Sequence, residues 1–119
     1  MTVHWSNPLF LTLGLSGLIF LAAGYIMLKY PPKNRNYFYG YRTRQSMESQ
    51  EKWDFAQTFA AREMIKQAWY MLTIATVGLF LNPEEMLSMF LSFGFILLSV
   101  IIMLVKTENK LKQKFKQAK

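Results

Sequence analysis

Apolar residues gather in three charge-free stretches, and neither strand-like alternation nor the polar stripe of a soluble helix interrupts them. Pro8 to Leu28 runs 21 residues without a charge, Gln67 to Leu81 runs 15, and Met86 to Val105 runs 20. A bilayer core of about 30 Å needs roughly 20 helical residues, so the first and third stretches predict full membrane spans. The middle one falls short by about 8 Å at about 1.5 Å per residue. Starting it at Met64 and letting Lys66 snorkel to the headgroups closes most of that gap. The expected fold is an all-α membrane protein of one domain. Its three transmembrane helices cover about 8–28, 64–81 and 86–105, with a connector over 29–63 and a basic tail over 106–119.

Two other readings of these stretches fare worse. A soluble three-helix bundle needs a polar stripe on each helix, and Leu9–Leu28 and Leu87–Val105 offer none. A cleaved signal peptide needs basic residues ahead of its apolar core and a small-x-small site after it. The segment Met1–Pro8 has no Lys or Arg and no such site follows, so a retained helix is expected. Small residues then mark how the helices meet. Gly17 and Gly24 share one face with Gly14 nearby, Ala68 and Ala75 share another, and Ser88, Ser92 and Ser99 a third. Such seams let membrane helices approach closely, either to close one chain's bundle or to join copies in an oligomer.

Charge placement sets an orientation. Of the 14 Lys and Arg, eight lie from Lys29 to Lys66 and six from Lys106 to Lys119. The positive-inside rule therefore predicts a multi-pass membrane protein whose two basic segments share the cytoplasmic side. Its amino terminus and Asn82–Pro83 turn lie outside, its connector and carboxy-terminal tail inside. The net charge of +7 is then a topology signal that also draws anionic headgroups at about 1 kcal/mol per basic residue, and it does not indicate nucleic acid. With no cysteine and the single His4, thiolate sites, thiol nucleophiles and histidine metal clusters are excluded, and no cofactor is expected. No ionisable residue lies in the interior of a span, which argues against active transport through the bundle.

The connector from Asn36 to Ala56 holds more chemistry than a link requires. Tyr37, Phe38, Tyr39, Tyr41 and Trp53 surround Arg42 and Arg44, with Gly40 among them. Interfacial belts explain much of that composition. The order is more telling: Tyr30-Pro31-Pro32 ends a helix, Gly40 suits a tight turn, and Arg42-Thr43-Arg44 follows. Such a turn can aim two guanidinium groups at one anion. Ser46 or Ser49 can cap the next helix, with Glu48 and Glu51 near its positive end. Trp53, Ala56 and Ala60 then recur at helical spacing beside Phe55 and Phe59, which predicts an amphipathic interfacial helix between the first and second spans. In the tail, Lys106, Lys110 and Lys114 share one side and Leu111, Phe115 and Ala118 another, as in a short helix lying on anionic lipid.

The run Asn36-x-x-x-Gly40-Tyr41-Arg42-Thr43, with Ser46, Trp53 and Ala56, resembles the signature of the SdpI family of bacterial membrane proteins. The likeness is to the carboxy-terminal part of the family's larger namesake, and Gln57 stands where members often carry Asn. It implies that Asn36, Gly40, Arg42, Thr43, Ser46, Trp53 and Ala56 form the family's shared element. It also implies a role akin to the namesake's, immunity to a secreted toxic peptide with signalling to a repressor. The leading expectation is a membrane protein that binds an amphipathic peptide or anionic lipid at its cytoplasmic interface. The alternative is an accessory subunit that docks a membrane complex or a cytoplasmic regulator through 36–56. Glu51, Asp54 and Arg42 show no paired carboxylate, metal set or nucleophile at catalytic spacing, so an enzyme is not expected.

Overall fold

The computed structural model describes residues 5–36 and 38–115, so His4, Tyr37 and Ala118 lie outside the described residues. Helix α1 is Pro8–Lys29, α2 is Gln50–Leu81 and α3 is Glu85–Lys114, and each is long and apolar enough to cross a membrane. Local chemistry accounts for their ends. The Asn7 carboxamide oxygen accepts from Leu9 N at 2.7 Å and caps α1, with Pro8 in the first turn where its missing N–H costs nothing. Tyr30 caps the end of that helix, and Pro31 and Pro32 bar its continuation. Ser49 caps α2 by accepting from Lys52 N at 3.1 Å. Asn82, at φ 47°, closes it in the left-handed conformation, and Pro83 bars continuation.

The amphipathic segment expected to lie across the interface is not a separate helix. It forms the first turns of α2, which runs unbroken for 32 residues, about 48 Å at the usual rise. Nothing between Gln50 and Val77 can break it, for there is no Gly or Pro. The buried side is also continuous through Trp53, Ala56, Ala60, Ala68, Met71 and Ala75. The tail behaves in the same way. Helix α3 passes Val105 and runs to Lys114, with Thr107 and Leu111 fully buried. Phe115 meets Phe55 edge to face at 6.1 Å. The tail's apolar side thus covers the extended part of α2, which offers it a protein wall in place of lipid.

The small-residue seams turn inward and close one chain's bundle. A Cβ at Gly24 would lie 2.6 Å from Ile65 Cγ1 and 3.1 Å from the Ala61 carbonyl oxygen. At Gly17 it would lie 2.9 Å from Leu72 Cγ, so α1 and α2 meet almost backbone to backbone. Ser88, Ser92 and Ser99 are buried on α3. The outward faces carry Leu15, Leu18, Ile26, Phe90, Phe93 and Leu97, all exposed. That is an apolar surface far beyond what a soluble monomer shows, and it suits contact with lipid tails. At the end away from the connector, Asn7 Nδ2 donates to the Gly78 carbonyl at 2.8 Å and to Asn82 Oδ1 at 3.1 Å. One side chain therefore caps α1 and pins it to the end of α2.

Candidate functional site: a connector locked to the third helix

The connector is built by hydrogen bonds to its own backbone. Asn36 Oδ1 accepts from Phe38 N at 2.9 Å and Tyr39 N at 2.8 Å, while its Nδ2 donates to the Asn34 carbonyl at 2.9 Å. This is an asparagine turn that needs that carboxamide length. The indole of Trp53, fully buried, donates to the Pro32 carbonyl at 2.8 Å and ties the proline exit to α2. Ser46 and Thr43 brace each other. Ser46 Oγ accepts from Thr43 N at 2.8 Å and Thr43 Oγ1 accepts from Ser46 N at 3.2 Å. The helix cap falls to Ser49, leaving Ser46 buried inside the turn.

Gly40 sits at φ 102°, a conformation that only glycine adopts cheaply. Space excludes a side chain as well: an added Cβ would fall on Gln57 Oε1 and within 2.6 Å of Pro32 Cγ. The close approach is what Gln57 requires. From α2 it accepts from Tyr41 N at 2.6 Å and donates to the Tyr41 carbonyl at 2.7 Å. It thereby satisfies both buried backbone groups of Tyr41.

Beyond Tyr41 the connector is fastened to α3 through one carboxylate. Glu108 Oε2 accepts the Tyr41 hydroxyl at 2.6 Å and the Thr43 hydroxyl at 2.7 Å. Its Oε1 accepts from Gln45 Nε2 at 3.0 Å, and its main-chain carbonyl accepts from the same amide at 3.1 Å. Burial, followed by the hydrogen bond to Glu108 and its charge, holds the Tyr41 phenol far above its usual range. On the solvent side, Lys52 holds Glu48 below the usual carboxylate range by hydrogen bond and charge.

Gly40, Tyr41, Thr43 and Ser46 thus meet in one lock, Ala56 packs in the core cluster that includes Tyr41, Trp53 ties the proline exit to α2, and Asn36 shapes the turn ahead of it. Arg42 and Arg44 do none of this: both are exposed, and no ion pair involves either among the described residues. They also part company. Arg44 lies near enough to Glu48 to help lower its pKa. Arg42 lines a cleft of about 250 Å³ whose other walls include Met27, Ala60, Met64, Met103 and Leu104. Sequence reasoning missed Gln57 as a partner and Glu108 altogether. A signal for Glu108 existed, since it is the one acid among the basic residues of 106–119.

The family model of the SdpI/YfhL protein family matches residues 33–107, from the connector through most of α3. The uncharacterized protein YfhL of Bacillus subtilis (strain 168) is 34% identical over 96 residues, 81% of this chain and 82% of that protein. No solved structure matches. With the connector, α2 and most of α3 inside the matched segment, the chain belongs to the SdpI/YfhL protein family.

Proposed function

We propose that this protein acts at the cytoplasmic membrane, connector and tail inward, and captures an amphipathic, toxin-like peptide in the Arg42 cleft, an immunity-type role. One observation carries the reading: the Arg42 guanidinium, with no ion pair among the described residues, stands beside an apolar cleft walled by Met27, Met64 and Met103. Methionines are unbranched and polarizable, and they adapt to varied apolar faces. Arg42 supplies the polar contact, a bidentate grip on a peptide carboxylate. The Gly40–Gln57 contact and the Glu108 lock hold that side chain in register with the cleft. The family's namesake, whose role is immunity to a secreted peptide, agrees with such a ligand.

A photocrosslinker placed at position 42 tests the proposal in membranes exposed to membrane-active peptides. Peptide adducts are expected, and a strain lacking the protein should be more sensitive to the captured peptide. Arg42→Lys should lower peptide capture roughly tenfold, because lysine keeps the charge and loses the fork. A single protein adduct would instead favour docking of a membrane complex or cytoplasmic regulator through 36–56. Unchanged sensitivity to every peptide tried would sink the immunity reading.

A further inference from the structure

A second crevice runs along the other side of α3, against α2. Its upper part is a cleft of about 880 Å³ whose lining includes Glu63, Lys66, Lys106, Lys110 and Lys112. Its lower part, about 510 Å³, is lined by Tyr70, Ile74, Phe95, Leu98, Ser99 and Ile102 among others. Lys106 belongs to both, so the two parts adjoin at that side chain. The apolar part lies at the depth of the second and third spans, and the basic part begins where those spans end. Each part has the size of a ligand pocket.

The junction is built around one buried carboxylate. Glu63 is 5% exposed. Its Oε2 lies 3.1 Å from Lys66 Nζ and its Oε1 lies 3.5 Å from Lys106 Nζ. Both lysines remain half exposed, and each ammonium has three donors, so most of their hydrogen-bonding capacity faces the crevice. Lower down, the buried Ser99 hydroxyl has no hydrogen-bond partner among the described residues, and it lines the apolar part. Four lysines against one carboxylate make the head of the crevice strongly cationic.

We infer that the α2–α3 crevice is a binding site for an anionic phospholipid of the surrounding bilayer. Its phosphate sits among Lys66, Lys106, Lys110 and Lys112, and an acyl chain lies along Phe95, Leu98 and Ile102. Basic pockets between membrane helices on the cytoplasmic side recognise such headgroups, and the apolar continuation distinguishes a lipid from a soluble phosphate. Glu63 is a positioning residue that draws the two lysines together across the crevice mouth. The site is separate from the Arg42 cleft and does not depend on the function proposed for that cleft.

Native mass spectrometry of the detergent-solubilised protein tests this, with phosphatidylglycerol and phosphatidylcholine of matched chains as probes and glycerol phosphate as the headgroup alone. The protein should retain phosphatidylglycerol roughly tenfold better than phosphatidylcholine. Replacing the exposed Lys110 and Lys112 with Gln should bring the two near parity without disturbing the Glu63 pairs. Leu98→Trp, at a half-exposed position, should lower retention of both lipids by filling the chain groove. Arg42→Gln should change neither. Parity in the unaltered protein, or a preference that survives the lysine changes, would overturn the inference. So would full retention in Leu98→Trp, loss of lipid in Arg42→Gln, or glycerol phosphate binding as well as the lipid.

Discussion

The Tyr41 hydroxyl, in the loop before α2, donates at 2.6 Å to Glu108, two turns from the end of α3. Residues 67 apart in sequence are thereby held together, and the connector's path depends on a helix that follows it by two spans. Because Thr43 and Gln45 use the same carboxylate, the three contacts stand or fall together.

Glu108→Ala is therefore expected to destabilise the protein by about 2–4 kcal/mol, since hydrogen bonds to charged groups contribute about 1.5–3 kcal/mol each and this set is only half buried. Glu108→Gln, which keeps one acceptor oxygen, should lose less. Unfolding in denaturing detergent measures both. A cycle with Tyr41→Phe should show a coupling of about 1–3 kcal/mol; additive effects would mean that the contact is incidental.

Gly40→Ala should cost about 2 kcal/mol or more, because the left-handed region is strained for alanine and the new methyl meets Gln57 and Pro32. A paired Gln57→Ala change removes the clash with Gln57 but leaves the one with Pro32 and the Tyr41 backbone groups unsatisfied, so it should not restore stability. Restoration by that second change would show that the contact with Gln57, and not φ, dictates glycine.

The spans were legible in the sequence because charge-free length is a one-dimensional property. The capped start of α2 and the inward seams of Gly17, Gly24, Ser92 and Ser99 were legible for a related reason: they follow from spacing along one helix. The separate interfacial helix expected ahead of the second span is instead the start of one continuous α2. Amphipathicity near a membrane says which face is apolar, and not whether lipid or another helix covers it. Here the tail of α3, with Leu111 and Phe115, supplies that cover. The Glu108 contact was hidden for the same reason. It depends on how far α2 and α3 project together beyond the spans, and no local pattern encodes that.

The α1–α2 seam predicts where oligomer and monomer effects separate. Gly24→Leu forces a side chain into Ile65 and the Ala61 carbonyl and should destabilise the monomer by about 1–3 kcal/mol, with oligomer size unchanged. Gly94→Leu has open space, with nothing within 4 Å, and should be neutral to stability. Size-exclusion with light scattering in detergent, beside unfolding curves, reads both. An altered oligomer with intact stability in the Gly24 variant would place that seam between copies.

The Tyr41 phenol gives the lock a pH signature. Burial and the neighbouring Glu108 carboxylate both disfavour the phenolate, so the folded protein keeps this proton well above the usual tyrosine value of about 10. The unfolded chain releases it near that value. The contribution to stability is thus fully present below about pH 10 and is lost as pH rises beyond it, where the unfolded state binds fewer protons than the folded one. Phenolate absorbance should show the consequence. Of six tyrosines, Tyr41 should stay silent until the protein unfolds, so wild type and Tyr41→Phe should titrate with equal amplitude while folded. Once unfolded by alkali, the wild type should gain one phenolate more than the variant. A folded-state amplitude near pH 10 that disappears in Tyr41→Phe would mean that the hydroxyl is not held by Glu108 in solution.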